Sequence, residues 1–421
     1  MTITGGRHVA VVRPGWVLDV DSGERRGGLV VVLVDGLIAE VVSEATAPQA
    51  PDADVIDCPD LTVLPGLIDC HTHLVGEPDG GHGYAELLTR TGAQEALSGV
   101  RNARDTLRAG FTTVRDVGTF RAFVDVALRD AIAAGYVLGP RMLVSGGYLT
   151  CSGGGGDITG LAPDVDAVVP RDLRIGVADS VDEVRRAVRR LVGGGADFVK
   201  VIATGAVMTE GTTPGAPEFT QAQLTVAVEE AALLGTYVAA HAHGAEGIKR
   251  AIRAGVRSIE HGSLMDDEAI ELLAQTGTYL VADVYCGDYI NEQGLLHGWS
   301  ANVMRKNDET TLAQREGFAR CVQAGVRIAF GTDSGIYPHG WNGKQFAYQV
   351  RHGQQPIDAI RSATTTAAEL IGLTGQVGRI APGHHGDLIG VSGDPLADIG
   401  LLTDVRLVVQ GGRCVDLAVG R

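Results

Sequence analysis

Hydrophobic and polar positions follow two different patterns along this chain of 421 residues. In the first and last stretches, Val- and Ile-rich segments with a period of two alternate with Gly and Asp turns, as in HVAVVRPGWVLD, GGLVVVLVDGLIAEVV and DVRLVVQGGRCVD. This pattern predicts β-strands. Because it occurs at both ends of the chain, we expect one small sheet domain built from both termini.

The middle of the chain repeats a different unit, in which a helix-like segment ends in Gly and a short apolar run follows. The repeats read RAG-FTTVRDVG, GGG-ADFVKVIATG, LLG-TYVAAHAHG, RAG-VRSIEHG, QTG-TYLVADVY and QAG-VRIAFGTDSG. A glycine after a helix is typical of a left-handed cap, and a buried parallel strand is a continuous apolar run. The six capping candidates are Gly110, Gly195, Gly235, Gly255, Gly277 and Gly325.

Two further segments complete a set of eight strands. LTVLPGLIDCHTH precedes the repeats, and RMLVSGG at residues 141–147 lies among them. Capping-box patterns mark helix starts at residues 180–183 (SVDE) and 220–223 (TQAQ). Strands that alternate with helices indicate a parallel α/β fold, and eight such units favour a (β/α)8 barrel. An open doubly wound sheet is the alternative, but the glycine-rich dinucleotide loop expected after its first strand is missing.

Composition and charge narrow the classes of partner. A hydrophobic content of 45% is ample for a large core. The net charge is −16 and the sequence has no basic tract, so we expect no binding to nucleic acid or anionic membranes. We see no signal peptide and no apolar run of about 18 residues. The six scattered cysteines are typical of reduced thiols in a cytoplasm. We therefore expect a cytoplasmic protein with a small-molecule or peptide partner, and an assembly of several copies is compatible with this composition.

Candidate chemistry lies where the predicted barrel strands end. Counted from the glycine that opens each unit, Lys200 follows by five positions and Asp333 by eight. His241 and His261 both follow by six. A strand of about five or six residues fits in that interval. These side chains therefore fall at C-terminal strand ends, the face that carries the active site in barrel enzymes.

Two H-x-H pairs sharpen this prediction. His71 and His73 close the first strand, and residues i and i+2 of a strand point to the same side, so both imidazoles can reach one metal ion. Two polar residues on an exposed strand would be the alternative. His241 and His243 form the second pair, and one, both or neither could be a ligand. The interval of 20 residues between His241 and His261 matches one βα unit and favours His241, which leaves His243 to face the substrate.

Lys200 and Asp333 each allow two interpretations. Lys200 lies in the apolar run FVKVIATG, where an ammonium group is costly unless it forms a salt bridge, for example to Asp333 or Glu260. Alternatively, its depressed pKa makes the amine a nucleophile toward carbon dioxide, and the product is an anionic carbamate that can bridge two cations. Asp333 in GTDSG is either a turn residue or a carboxylate that binds metal and shuttles a proton. A serine nucleophile is disfavoured because G-x-S-x-G is missing from the sequence.

At these residues the chain resembles the binuclear-metal branch of the amidohydrolase superfamily. The motifs that carry the resemblance are PGLIDCHTH, KVIATG, VAAHAHG, SIEHG, GTDSG and the tail APGHHGDLIG. The likeness extends from about residue 8 to residue 415 and is strongest for prolidase-like and Xaa-Lys/Arg dipeptidase-like metallopeptidases, a group that includes an ochratoxin-cleaving amidase. It implies a distorted (β/α)8 barrel over residues 62–380 and a small β-sandwich formed by residues 1–61 and 381–421.

The resemblance also implies the roles of the site residues. Zinc suits nitrogen and oxygen ligands without thiolate, and manganese, cobalt and iron are the alternatives. Asp333 and His243 are the expected catalytic residues. The candidate substrate-binding residues are His243, Tyr285, Tyr148 and His339. The expected ligands of two divalent ions are His71, His73 and Asp333 on the more buried ion, His241 and His261 on the more exposed ion, and carboxylated Lys200 bridging both.

The implied activity is hydrolysis of an amide bond, in a peptide or an N-acyl amino acid, by a metal-bridging hydroxide. A C-terminal amino acid or short segment would be released. Asp333 would accept the hydroxide proton and deliver it to the leaving amine, while His243 or Tyr285 would stabilise the oxyanion.

Two departures from the family pattern are expected around the substrate. Gly155 stands where relatives often carry a histidine, and Gln345 stands where they often carry an acidic residue. They motivate two alternatives that use the same site: an amidohydrolase that trims a peptide natural product precursor, and a lactam, lactone or phosphotriester hydrolase. A mononuclear deaminase-like enzyme is a further alternative, and a non-catalytic scaffold is the least favoured because a scaffold needs none of the six ligands.

Overall fold

The computed structural model describes residues 8–47, 53–76, 84–296 and 298–417. The chain divides into two compact units. One comprises Met1–Asp69, Arg104–Val114 and Gly340–Arg421, and the other comprises Cys70–Ala103 and Arg115–His339. Among the described helices, none combines the length and the hydropathy that a membrane span requires.

Sixteen strands are found in the described part of the chain. They are β1 (Val9–Leu18), β2 (Arg25–Gly27), β3 (Leu29–Val34), β4 (Leu37–Ser43), β5 (Asp54–Pro65), β6 (Leu67–Thr72), β7 (Phe111–Asp116), β8 (Arg141–Val144), β9 (Tyr148–Leu149), β10 (Val199–Ile202), β11 (Val238–Gly244), β12 (Ser258–Leu264), β13 (Tyr279–Val281), β14 (Leu388–Ser392), β15 (Leu407–Gln410) and β16 (Arg413–Cys414).

The strands from the two ends of the chain form one sheet in the order β16-β15-β14-β5-β1-β3-β4, with β2 paired to β1. Its pairings are antiparallel except for β1 with β5, which is parallel. Successive side chains of a strand point to opposite faces. Ala10 and Val12 accordingly pack in one apolar cluster with Val31, whereas Val11 packs in another with Val30. The predicted sheet from both termini is confirmed.

The barrel strands form two parallel groups. One has the order β13-β12-β11-β10-β9, and the other has the order β6-β7-β8. Three residues separate β8 from β9. Because β8 neighbours β7 while β9 pairs with β10, these two short strands together act as the third strand of the barrel. The segment RMLVSGG was predicted as this strand, and only its first four residues have regular strand geometry.

The eighth barrel strand is irregular. Residues 326–334 carry no continuous strand, yet Ile328 forms a parallel bridge with Leu280 of β13. Ser334 forms a parallel bridge with Thr72 of β6. The segment therefore stands between the two groups of strands and closes the ring. The predicted fold class, a distorted (β/α)8 barrel with a small β-sandwich domain formed by both termini, is confirmed, and the described terminal strands form one sheet.

Thirteen α-helices are described, besides three short 3-10 turns at Glu44–Thr46, Arg171–Leu173 and Ile399–Thr403. The helices are α1 (Ala85–Thr89), α2 (Gly92–Arg108), α3 (Val124–Ala133), α4 (Pro163–Asp166), α5 (Val181–Gly193), α6 (Gln221–Leu233), α7 (Ala245–Ala254), α8 (Asp267–Thr276), α9 (Cys286–Gln293), α10 (Ala301–Gln323), α11 (Lys344–Arg351), α12 (Pro356–Ser362) and α13 (Thr365–Leu370).

Local sequence signals place the ends of several helices. The side chains of Ser180 and Thr220 accept hydrogen bonds from the backbone N–H groups of Glu183 and Gln223, and the reciprocal bonds complete both predicted capping boxes. All six predicted capping glycines adopt a positive φ, a conformation in which a Cβ atom is disfavoured. These caps fix where each helix ends and the next strand begins, and so where the strand-end side chains lie.

Candidate metal centre and active site

The barrel brings the six predicted ligands to one cavity. Each lies within its barrel strand or just after it, although His241 and His261 are the middle residues of seven-residue strands rather than their last residues. All six line the same cavity, which has a volume of about 620 Å³. They are His71 in β6, His73 just after it, Lys200 in β10, His241 in β11, His261 in β12 and Asp333 in the irregular eighth segment.

Distances between these side chains are short enough to share metal ions. Nε2 of His71 and Nε2 of His73 lie 3.4 Å and 3.2 Å from Oδ1 of Asp333. The ring of His261 lies 4.8 Å from that of His71 and 4.6 Å from that of His241, measured between centroids. Three groups have candidate ligand atoms within 4.8 Å of one another: His71, His73 and Asp333; His241, His243 and His261; and His261, Asp283 and Asp333.

A buried ion pair orients His71. Glu260 is fully buried, and its Oε2 accepts a hydrogen bond from Nδ1 of His71 at 2.8 Å. Its Oε1 accepts from Nη2 of the equally buried Arg115 at 2.7 Å. Although burial favours the neutral acid, Arg115 and His71 hold the pKa of Glu260 far below its usual range. The anionic partner fixes the proton of His71 on Nδ1 and leaves Nε2 available as a metal ligand.

Two other histidines are oriented in the same way. Nδ1 of His261 donates to Oδ1 of Asp283 at 2.9 Å, and Nε2 of Gln314 donates to the same oxygen at 2.7 Å. Nδ1 of His73 donates to the carbonyl oxygen of Gly118 at 2.7 Å. In each case the ring offers Nε2 to the centre of the cavity. Histidines whose second nitrogen is held by a carboxylate or carbonyl are typical of metal ligands.

The second H-x-H pair, on β11, holds its two rings nearly perpendicular. Nε2 of His241 lies 3.4 Å from the carbonyl oxygen of Gly205, which leaves Nδ1 for a metal ion. Nδ1 of His243 lies 2.8 Å from Oγ of Ser263, which leaves Nε2 to face the cavity. Burial and the neighbouring His261 lower the pKa of His243 to about 3, so its ring is neutral at physiological pH.

Lys200 is buried in the barrel. Its side chain is 1% exposed, and within the described residues no ion pair joins its amine to a carboxylate. The two acidic groups considered from the sequence have other partners: Glu260 binds Arg115, and Asp333 binds His71 and His73. Burial lowers the pKa of Lys200 to about 8, which makes a neutral amine accessible near physiological pH.

Backbone strain concentrates at two of these residues. Four described non-glycine residues have a positive φ, and two of them are His261 (68°) and Asp333 (58°). Such conformations cost free energy and persist where surrounding contacts enforce them, often at functional sites. Asp333 is also electrostatically unusual. Although burial favours its neutral form, the neighbouring His71 and His73 hold its pKa well below the usual range.

The candidate substrate-binding residues separate into two groups. Tyr148 and His243 line the cavity, and the hydroxyl of Tyr148 donates to the carbonyl oxygen of Gly118 at 3.1 Å. Tyr285 and His339 are not among the described residues that line it. The ring of Tyr285 instead packs edge-to-face on Tyr337, 5.1 Å away, and His339 lies 3.2 Å from the carbonyl oxygen of Gly76.

Of the two departures from the family pattern, one lies at the cavity and the other does not. Gly155 lines the cavity, as expected. A Cβ atom at this position would lie 3.0 Å from Ile202 and 3.1 Å from the Cβ of Ala206, so the neighbouring loop occupies the space of a side chain. Gln345 is fully buried in α11 and is not among the described residues that line the cavity.

Sequence reasoning did not assign roles to several polar residues of the site. Glu260 was considered only as a salt-bridge partner of Lys200, and Arg115, Asp283 and Asp116 were not considered. A signal for two of them exists: Asp116 follows Gly110 by six positions and Asp283 follows Gly277 by six, the same interval that selects His241 and His261. Asp116 accepts hydrogen bonds from the backbone N–H groups of Leu74 and Gly118, next to His73.

Comparison with known proteins agrees with this geometry. The sequence is 33% identical to ochratoxinase of Aspergillus niger over 437 aligned positions, which cover 97% of this chain and 87% of that enzyme. A solved Xaa-Pro dipeptidase with bound methionine in the active site superposes with a TM-score of 0.90 at 35% identity and 97% and 100% coverage. A prolidase complexed with N-methylphosphonate-L-proline superposes with a TM-score of 0.88 at 32% identity and 97% and 99% coverage.

The barrel and its strand-end site define a hydrolase that acts on C–N bonds. The sequence profile of the amidohydrolase family matches residues 62–415. The chain therefore belongs to the amidohydrolase family. This family generally uses a binuclear metal centre, and the described histidine clusters could bind metal ions.

Proposed function

We propose that this protein is a metal-dependent amide hydrolase that releases a C-terminal amino acid from a short peptide or an N-acyl amino acid. The observation that carries the proposal is the orientation of the histidines. Three of them have Nδ1 held by Glu260, Asp283 or the carbonyl of Gly118 and direct Nε2 into one cavity. A histidine cluster with a purely structural role would not need its unprotonated nitrogens directed at a common point.

The donor set fits two divalent cations. Nitrogen and oxygen donors without thiolate suit zinc, and also manganese, cobalt or iron. Lys200 would contribute to holding these cations as a carbamate, which would form when its neutral amine adds to carbon dioxide and releases a proton. The proposed ligands are His71, His73 and Asp333 for one ion, His241 and His261 for the other, and carboxylated Lys200 for both.

Two divalent cations bound there would polarise the substrate carbonyl and lower the pKa of water toward neutrality. The residues of the chain supply the proton transfers and the orientation. Asp333, whose low pKa keeps it ionised, accepts a proton from the attacking water and delivers it to the nitrogen of the leaving amine as the C–N bond breaks. His243, neutral and held by Ser263, donates from Nε2 to the developing oxyanion.

The substrate class follows from the cavity and from the relatives. A volume of about 620 Å³ accommodates a dipeptide or a substituted amino acid rather than a folded protein. The similar proteins include a Xaa-Pro dipeptidase with bound methionine and a prolidase complexed with N-methylphosphonate-L-proline. Both point to a ligand that ends in a single amino acid.

The test is a substrate screen with metal analysis. The purified protein is measured for metal content and then incubated with dipeptides and N-acyl amino acids, and the released amino acid is quantified by mass spectrometry. We expect about two metal ions per chain and release of the C-terminal amino acid. A single ion per chain with a free Lys200 amine, or no release after loading with zinc, manganese or cobalt, would contradict the proposal.

A further inference from the structure

One wall of the cavity is a continuous row of aromatic rings that the proposed chemistry does not use. This aromatic wall consists of Tyr148, Phe120 and Tyr84, and all three line the cavity. The Phe120 ring lies 5.1 Å from that of Tyr148 and 5.0 Å from that of Tyr84, both in edge-to-face geometry. The Tyr148 ring lies 6.1 Å from that of His73. The wall thus begins beside a proposed metal ligand and extends away from it.

The exposed surface of this wall is apolar. The hydroxyl of Tyr148 donates to the carbonyl oxygen of Gly118, and the hydroxyl of Tyr84 donates to Oγ1 of Thr209 at 3.1 Å. Both phenol groups therefore already have a hydrogen-bond partner in the protein, and the ring surfaces remain for a ligand. Phe120 has no polar atom and is only half-buried, so part of its ring is open to the cavity. Aromatic rings prefer to meet other rings edge-to-face or in offset stacks.

A buried arginine holds the outer end of the wall in place. Helix α1 follows Tyr84 directly and has no buried residue, so apolar packing alone does not fix it. Nη2 of Arg121 donates to the carbonyl oxygen of Leu87 in this helix at 2.7 Å. The same guanidinium donates to Glu95 at 2.9 Å and to Asp172 at 2.7 Å. Five fixed donors in one plane suit this role, which a lysine fills poorly.

We propose that the aromatic wall is a subsite for a ring-bearing group of the substrate and that Phe120 is its specificity-determining residue. The inference rests on the proposed function for the position of the scissile bond, and it adds the chemical class of the substrate. A planar group beside Phe120 continues the edge-to-face row, while its amide reaches the histidine cluster past Tyr148. Arg121 is a positioning residue that acts through α1 and Tyr84.

The test compares three small compounds that differ only in where a ring lies. N-benzoyl-alanine carries the ring on the acyl side, N-acetyl-phenylalanine carries it on the amine side, and N-acetyl-alanine has none. We expect the enzyme to prefer one ring compound over N-acetyl-alanine in kcat/KM. Phe120→Leu, which keeps an apolar side chain but removes the ring, should lower that preference roughly three- to tenfold. Tyr136→Leu is the control, because Tyr136 is 83% exposed and does not line the cavity.

Arg121→Lys separates positioning from general destabilisation. We expect a higher KM for the preferred ring compound with an unchanged kcat, and no change for N-acetyl-alanine. Arg129→Lys is the matched control, since Arg129 also binds a carbonyl and two carboxylates but none of its partners lies in α1 or lines the cavity. A proportional loss of kcat for all three compounds in Arg121→Lys would assign it a structural role only.

Failure of the subsite and failure of the proposed function give different results. If none of the compounds is hydrolysed, the same compounds bind without being consumed, and calorimetry measures their affinities for wild type and Phe120→Leu. A ring preference that Phe120→Leu reduces would then support the subsite and reject the hydrolytic proposal. Equal values of kcat/KM or affinity for all three compounds in wild type, or an unchanged preference in Phe120→Leu, would overturn the subsite.

Discussion

The buried pair of Arg115 and Glu260 is the most demanding feature of the site, and Glu260→Gln tests its role. Both side chains are fully buried, and Glu260 is shared between the guanidinium and Nδ1 of His71. A neutral amide leaves the charge of Arg115 without its counter-ion in the barrel interior. Removing one charged partner of a buried ion pair typically lowers the free energy of unfolding by about 3–5 kcal/mol. For a chain of 421 residues, that loss corresponds to a decrease in Tm of roughly 3–6 °C.

The assay is thermal unfolding of wild type and Glu260→Gln, each with its metal and after treatment with a chelator. We expect most of the decrease in Tm to persist in the chelated proteins, because Arg115 is unpaired in both conditions. We also expect metal affinity to fall about 10- to 100-fold, because the neutral amide of the variant no longer fixes the proton of His71 with a full charge. Glu246→Gln is the control: this residue forms an exposed pair with Arg250, worth about 0.3–0.5 kcal/mol.

The sign of the pH dependence follows from the lowered pKa of Glu260. A carboxyl whose folded pKa lies below its unfolded value of about 4.3 stabilises the protein fully above that value. Its contribution declines as the pH falls from there toward the folded pKa. The Tm difference between wild type and variant should therefore be constant from neutral pH to about pH 5 and shrink below. A decrease under about 2 °C at neutral pH in the chelated proteins would refute the reasoning.

Three further variants test the proposed chemistry. Asp333→Asn should lower kcat by roughly 10²–10⁴-fold while most of the metal remains bound, because the proton carrier is lost; turnover close to wild type would remove Asp333 from that role. Lys200→Ala should bind fewer than two ions per chain. When metal is added back to the wild-type apoprotein, activity should return faster with bicarbonate and toward pH 8, where the neutral amine of Lys200 becomes abundant. Reconstitution independent of bicarbonate would argue against a carbamate. Asp283→Asn should weaken metal binding about 10- to 100-fold, since His261 loses its anionic partner, and an unchanged metal titration would contradict this.

The ligand positions could be predicted because residues at equivalent positions of the strand–helix repeats come together at one end of a barrel. A left-handed glycine fixes the end of each helix, the following strand begins within about four residues, and a side chain five to eight positions after the glycine reaches the cavity. The six-residue interval selects His241 and His261, and applied to every unit it also selects Asp116 and Asp283. Their carboxylates were overlooked because VRDVG and VADVY look like strand ends with ordinary turn residues.

Other parts of the site were beyond the sequence because they depend on contacts between distant strands. Arg115 lies within β7, where a charged residue usually faces solvent, and its burial is explained by Glu260 and Ser258 on β12, a strand of the other parallel group. Tyr285 and His339 follow strand ends in sequence, yet the chain turns their side chains to Tyr337 and Gly76. Spacing predicts where a residue leaves a strand, whereas its direction beyond that point is set by tertiary packing.

The buried polar layer beneath the histidines has a positional role that offsets its cost in stability. Arg115, Glu260 and Lys200 all lie inside the barrel, and replacing such groups with apolar residues often stabilises a protein. Glu260 can hold the proton of His71 on Nδ1 only as an anion, and Arg115 makes the largest contribution to keeping it an anion in the interior. The orientation of the proposed metal ligand His71 therefore depends on Arg115, a cation that is itself neither a proposed metal ligand nor a proposed substrate contact.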